Sequence, residues 1–559
     1  MAPDLRTVGP GMANLLSTST GLTLLAALGA CTGPAGEAPL PPALQVTSPA
    51  RGLLQDHAGQ VRVTGTAAPN EHGDAIETVL VNNVKARLQS DGTFDAMIDV
   101  PEGATLIETV ARDARGGTAS DTRAVQAGAL HAVGSAIPRA VTAAMSADAF
   151  TKISSAAGPI LQGLDLAAML APLQPMLHAG DGGGPDCLFA QLFVDDITFS
   201  DVKISLSPVA GGLAFRVELD GLAVPAHVRY TFACFDNTTT ARVTVDQVVV
   251  QGTLTVAPNG DGFTTQLVSP KVSLTHFDLH TSGLPDDIIN LLHLDTAIQP
   301  VLAKAAELAM NPLVNRALGA LAAPVKLAVL GKQLEVQVTP STVVFDPAGA
   351  VVAMDLKVLL DGGAASPGFV YTANGSPAMD PSDGFQLGIA DDLANEMMAE
   401  ALASGLLDLT LPEPGGAFDA AQIHMTLPPM ISASAADGRM HVVLGDMLAT
   451  YTRAGAPVGK VAINASVDLK IAPVGDGTSV ALELGKPEIH VDVLDDVANL
   501  TGVNAQDLAN ASTAVLGVQI DTLSKLLVGI PIPAIAGLQM RDLSIGADDG
   551  YVMVHGRLE

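Results

Sequence analysis

The sequence predicts an α+β, β-rich chain: an N-terminal β-sandwich, then a larger region in which a long apolar helix lies along a curved sheet, built twice. Three observations carry this expectation. Short β-branched runs broken by turn signals fill residues 43–128. Leu284–Leu321 carries apolar residues at helical spacing, and β-branched alternation flanks it at Val243–Leu279 and Val325–Leu360. Four hairpin-like blocks share one grammar of strand, Gly or Asp-Gly turn, and strand; two precede that helix and two follow it.

Composition narrows the function. The 559 residues are 48% hydrophobic and 15% charged, with 3% aromatics and no Trp, so large cores are available and must be aliphatic. The formal net charge of −30 argues against nucleic acid, and against anionic headgroups held by simple attraction.

At the N-terminus Arg6 precedes an apolar run, Gly21–Leu28, too short to span a bilayer. Leu28-Gly29-Ala30-Cys31 then resembles the bacterial lipobox. The resemblance implies a signal peptide over 1–30, cleavage before Cys31 and acylation, palmitate included. The protein would then sit on the cell envelope by a lipid anchor. Thr32, rather than Asp, follows the cysteine, which by resemblance to enterobacterial sorting favours the outer membrane. Residues 31–42, rich in Pro, Gly and Ala, read as a tether. Of three cysteines, Cys187 and Cys234 remain; in an oxidising compartment they are expected to pair, the alternative being two buried thiols.

Residues 43–128 resemble bacterial immunoglobulin-like domains through Ser48-Pro49, Val63-Thr64-Gly65, Asp91-Gly92-Thr93-Phe94 and Ala111-Arg112-Asp113. Ala129–His178 reads as helical, with Val133, Ile137, Val141 and Met145 at four-residue spacing. Strands follow from Leu188. The opening helix starts at Asp286-Asp287 and is interrupted by Pro300 and Pro312. A second helix follows Asp495-Asp496 and carries Leu508, Val515, Leu516, Ile520 and Leu523. Each helix is preceded by a strand, Lys271–Leu279 or Lys486–Leu494, and followed by a hairpin, which points to internal duplication.

From about Ala129 onward the order of segments resembles the bactericidal/permeability-increasing protein family, within the tubular lipid-binding superfamily. Leu526–Pro533 with Leu538–Ile545, and Gly384–Glu396 continuing to Leu406–Thr410, carry the likeness. It implies two tubular modules end to end, 129–321 and 384–535, joined by a central sheet over 322–383 with 536–559. Acyl chains would lie in grooves between helix and sheet. The groove residues expected are Ile288, Leu292, Ile298, Leu302, Leu308, Leu516, Ile520 and Leu523. With 28 Lys plus Arg against 58 Asp plus Glu, the basic tips that relatives use for lipopolysaccharide are missing, so endotoxin binding is not carried over.

Other constellations have plainer readings. Asp286-Asp287, Asp391-Asp392 and Asp495-Asp496 could do acid/base work, but capping and dipole compensation account for paired carboxylates ahead of helices. His276, Asp278, His280 and His293 could hold zinc; a bulged strand facing solvent explains them as well. Gly260-Asp261-Gly262 fits a hairpin turn better than calcium. No nucleophile-elbow, metalloprotease or P-loop motif occurs. The expectation is therefore a non-enzymatic envelope lipoprotein, without cofactor, that binds or transfers phospholipid or another acyl-chain lipid. The alternative is a surface adhesin or scaffold with a fully packed tubular region; core and groove residues read alike in sequence.

Overall fold

A computed structural model describes residues 40–180, 187–292, 299, 302–310, 314, 325–329, 331–362, 366–372, 375–433, 439–474, 479–495, 505–527, 540–548 and 550–559. The described residues are β-rich, 61% strand and 17% helix, in several sheets.

The first unit is two sheets around one core. Ala43–Ser48, Gly59–Ala68, Thr93–Val100 and Arg87–Leu88 form one; Leu53–Gln55, Thr118–Ala127, Gly103–Asp113, Ile76–Val81 and Val84–Lys85 form the other. In Gly59–Ala68, Val61, Val63 and Ala67 are buried while Gln60 and Arg62 are exposed, the alternation of a strand packed on one face. Phe94, Ile98, Val79 and Ile107 from both sheets close the core.

This unit is fastened to the rest of the chain. Arg51 donates to Asp446 Oδ1 and to the Thr122 carbonyl, both at 2.7 Å, and reaches Asp121 at 2.9 Å and Asp492 at 3.3 Å. Asp446 is fully buried and also accepts from the amides of Gly52 and Ala124, at 2.8 and 3.1 Å. Asn464 Nδ2 donates to the Thr122 carbonyl at 2.8 Å. Gly52 has φ +71°, and a Cβ there would stand 2.7 Å from Thr426 Oγ1, so the contact closes only around glycine. A buried charge network like this mainly fixes one geometry, since attraction and desolvation nearly cancel. Asp492 shows the cost: burial pushes its carboxyl up to about 6 despite Arg51.

Two larger sheets repeat one order. The first runs Leu177–Gly180, Phe189–Val194, Gly212–Phe232, Phe235–Asn259, Gly262–Thr281, with Asp201–Val209 also paired to Gly212–Phe232. The second runs Leu409–Pro412, Ala420–Met425, Arg439–Arg453, Ala456–Val474, Ser479–Leu484, with Met430–Ser432 paired to Arg439–Arg453 and Glu488–Asp495 to Ala456–Val474. The hairpin turn after Val209 uses Gly211, and that after Asn259 uses Gly260, both at positive φ.

A third sheet of seven strands is assembled from distant segments. Its order is Val325–Val329, Lys332–Asp346, Gly349–Leu360, Ile137–Ser146, Phe385–Ala390, Tyr551–Leu558, Met540–Asp548. Here the structure corrects part of the helical reading of Ala129–His178: Ala147–Gln162 and Leu166–Leu170 are helices as expected, but the stretch before them is not. Ile137–Ser146 is a strand, paired with Gly349–Leu360 on one side and Phe385–Ala390 on the other. Ala143 through Ser146 are all buried, so the strand is packed on both faces and loses alternation. A continuous apolar run of that kind reads equally well as buried helix.

The helices are α1 (Ala147–Gln162), α2 (Leu166–Leu170), α3 (Asp286–Leu292), α4 (residues 302–310), α5 (Asp391–Ala403) and α6 (Ala505–Leu527). One continuous buried cluster takes in side chains from α1, α4, α5, α6 and all three large sheets. None of the described helices is long and apolar enough to cross a membrane.

Candidate functional site

Among the described residues, helix α4 lies against the first large sheet through apolar side chains. Leu302, Ala305, Ala306, Ala309 and Met310 line one side of a cavity of about 30 Å³. Val217, Leu219, Leu222 and Val250 of the sheet line the other, with Leu161 of α1 and Leu166 of α2 at the margin. Every one of the twelve lining side chains is apolar, Ile197 included. Three of the five α4 residues are alanines, so between Leu302 and Met310 the helix presents only methyl groups. The volume equals about one water's share of the liquid, far below the roughly 300–1,000 Å³ of a ligand pocket. Such a seam holds an acyl chain only by widening, with chain methylenes taking over the contacts that helix and sheet now make with each other.

The second seam, between α6 and the second large sheet, is built differently. Ser512 and Gln519 of α6 are buried, and so is Tyr451 of the facing strand. Tyr451 Oη and Ser512 Oγ are 3.3 Å apart, and Gln519 Nε2 donates to the Leu407 carbonyl at 3.0 Å. Phe418 stacks on Tyr451, ring centres 4.5 Å apart. Gly415, at φ +62°, lies so close that a Cβ would meet the Ala511 nitrogen at 2.7 Å.

The expected groove residues fall in separate places. Leu302 is 4% exposed and lines the first seam. Leu308 is half-buried on the same helix and does not line the cavity. Ile288 and Leu292 on α3 belong to another buried cluster, with Leu192, Val228 and Tyr230. Leu516 is buried and Ile520 half-buried on α6, both packed on the main core. Ile298, the side chain of Leu523, and Cys31 lie outside the described residues. The strand residues Val217, Leu222 and Val250 were not anticipated. Their signal was alternation with polar neighbours, which marks an inward face but not what that face meets.

Cys187 and Cys234 are joined as a disulfide, Cα atoms 5.0 Å apart. It braces the tip of the hairpin Gly212–Phe232/Phe235–Asn259, beside Phe235, whose ring is exposed. His276 pairs with Asp246 at 2.8 Å and His280 with Asp278 at 3.3 Å, all of them exposed. Among the described residues no three His, Cys, Asp or Glu side chains are grouped to hold a metal.

Asp391 and Asp392 stand in the first turn of α5, where their charge complements the helix dipole. The residue before the helix, Ala390, makes no side-chain cap bond. Asp391 Oδ2 accepts from the Ala433 amide at 2.8 Å, and Asp392 Oδ1 from the Thr372 amide at 3.0 Å, stitching the helix to its neighbours. Glu396 and Glu400 follow at four-residue spacing on the Asp392 face. Glu396 is fully buried, and among the described residues neither of its oxygens completes a hydrogen bond of ordinary geometry. Burial pushes it up to about 8, with the backbone at Gly134 and Val358 offsetting part of the cost. Burial likewise pushes Asp392 up to about 7 and raises Glu400. The sequence reading took in Asp391 and Asp392 but not Glu396 and Glu400, whose spacing carries no mark of burial.

Residues 42–128 match the family model described as Glucodextranase, domain B. Among curated proteins none matches the chain. Similar solved structures include a lipopolysaccharide binding protein, 14% identical over 76% of this chain and 99% of that one, TM-score 0.37. P47 of Clostridium botulinum E1 is 9% identical over 75% and 98%, TM-score 0.27. Latherin is 14% identical over 31% and 90%, TM-score 0.19.

Proposed function

We propose that the protein is a lipid-anchored bacterial envelope protein that binds or transfers lipids, taking phospholipid acyl chains between helix and sheet. The two large sheets of matching order are read as two tubular modules, with the seven-stranded sheet between them as the joint. The observation that carries the reading is the first seam: twelve apolar side chains and no polar one where a helix meets a sheet. An acyl chain suits such a lining, since each buried methylene is worth about 0.8 kcal/mol and no polar group is stranded. The proposed activity includes no chemical step. The anchor at Cys31 and an outer-membrane position belong to the same proposal and rest on the lipobox resemblance.

A second reading has its own support. The first seam is nearly closed, at about 30 Å³, as expected of an adhesin or scaffold whose tubular region is simply packed. Native mass spectrometry of the purified protein, with extraction of co-purifying lipid, separates the two. Discrete phospholipid adducts support lipid binding. A clean protein mass that takes up no lipid from vesicles supports the scaffold.

A further inference from the structure

We propose that lipid capacity is confined to the first seam, one lipid per chain, while the second seam is a fixed structural joint. The inference rests on the lipid-binding reading and adds where the lipid goes. The two seams lie in sheets of the same strand order, yet their chemistry differs. Across the first, contact among the described residues is dispersion alone: the polar side chains of α4, Lys304 and Glu307, pair with each other at 3.1 Å. Lifting α4 from the sheet breaks no hydrogen bond between described side chains, and an inserted acyl chain restores the same kind of contact.

The second seam cannot part in that way. Opening it separates Tyr451 from Ser512 and Gln519 from the Leu407 carbonyl. A hydrocarbon chain offers those groups no partner, so they would stay buried and unpaired. The Phe418–Tyr451 stack packs beside these ties, with the Arg453 guanidinium 5.0 Å from the Phe418 ring centre. The close approach of Gly415 to the backbone at Asn510 and Ala511 holds α6 from a second direction. Polar ties, an aromatic stack and a backbone contact thus hold the second seam, whereas the described lining of the first is aliphatic.

The test uses the full chain, stripped of lipid and titrated with dioleoylphosphatidylcholine under native mass spectrometry. In parallel, the wild type is exposed to a phosphatidylcholine bearing a diazirine on its acyl chain, and labelled peptides are mapped. One lipid per chain is expected, with labels in α1, α4 or the Gly212–Phe232 and Phe235–Asn259 strands. Leu302→Trp is expected to lower lipid occupancy at least tenfold. Two lipids per chain, or labels on α6 or Arg439–Arg453, would overturn the confinement and leave the lipid-binding reading standing. No adduct and no label would overturn the lipid-binding reading, and this inference with it. The labelling needs only wild-type protein, so it decides the matter even where Leu302→Trp fails to fold.

Discussion

Glu396→Gln tests whether the buried face of α5 is held in its protonated form. The folded carboxyl stands at about 8 against an ordinary 4.5, because burial penalises the charge. Between those values the folded chain binds a proton that the unfolded chain has released. Stability contributed by this group is therefore fully present below pH 4.5 and is lost as pH rises toward 8. The slope reaches about 1.4 kcal/mol per pH unit, and the loss between pH 5 and 8 is roughly 3–4 kcal/mol. Asp392, at about 7, adds to the same trend, while Lys357 opposes it weakly at Glu396. Glutamine cannot ionise, so the variant loses Glu396's share of the slope. Any mismatch of its amide with the backbone at Gly134 and Val358 shifts stability by a constant, not by a pH-dependent amount. Because the chain holds more than one core, a single global transition is the wrong readout. Hydrogen exchange of α5 amides, corrected for intrinsic rates, reports the local free energy between pH 6 and 8. Wild-type protection should fall across that range and the variant's should fall by about one proton less. Parallel pH profiles for the two proteins would refute the argument.

Three other perturbations have defined outcomes. Arg51→Met strands Asp446, buried with no cation left; a loss of about 3–5 kcal/mol is expected, read as lost exchange protection at Thr122–Ala124, and unchanged protection there would contradict the clamp. Replacing Cys187 and Cys234 together by Ser opens a 47-residue separation, and loop-closure entropy gives about 4 kcal/mol of destabilisation. If that variant and the reduced wild type unfold at the same denaturant concentration as the oxidised protein, the bond adds nothing. Cys31→Ser should move the protein from the membrane pellet to the soluble envelope fraction; a variant that still pellets, with no labelled palmitate on the wild type, would dismiss the anchor.

The first unit was the most legible part of the chain. Its strands alternate because each sheet packs on one side, so Val61 and Val63 advertise their face against Arg62. The hairpins were legible for the same local reason, since a Gly at positive φ marks the turn. The strand Ile137–Ser146 of the central sheet was not: from Thr142 onward it is covered on both faces, and its periodicity vanishes with its exposure. The α5 carboxylates were legible in part: Asp391 and Asp392 marked the start of a helix, while nothing in the sequence set Glu396 and Glu400 apart as buried. The seams lay between these cases. The α4 stripe was visible, whereas the strand residues opposite, and the polar ties that distinguish α6, depend on register across distant segments.

The make-up of the seven-stranded sheet bears on how the chain can fold. Met145 pairs with Ala350 on one edge and with Phe385 on the other, and Phe385 pairs in turn with Gly556 near the C-terminus. These are contacts of very high sequence separation, and each requires closing a long loop before it repays any ordering. A chain emerging N-terminus first can complete its first sandwich early, because all those partners lie within the first quarter of the sequence. The central sheet has to wait for its last strand. Until Tyr551–Leu558 arrives, Phe385–Ala390 presents an unpaired edge, and that edge is open to the wrong partner. Removing the final strand would therefore leave a chain with an unfinished sheet at its middle, not two independent halves with one shortened.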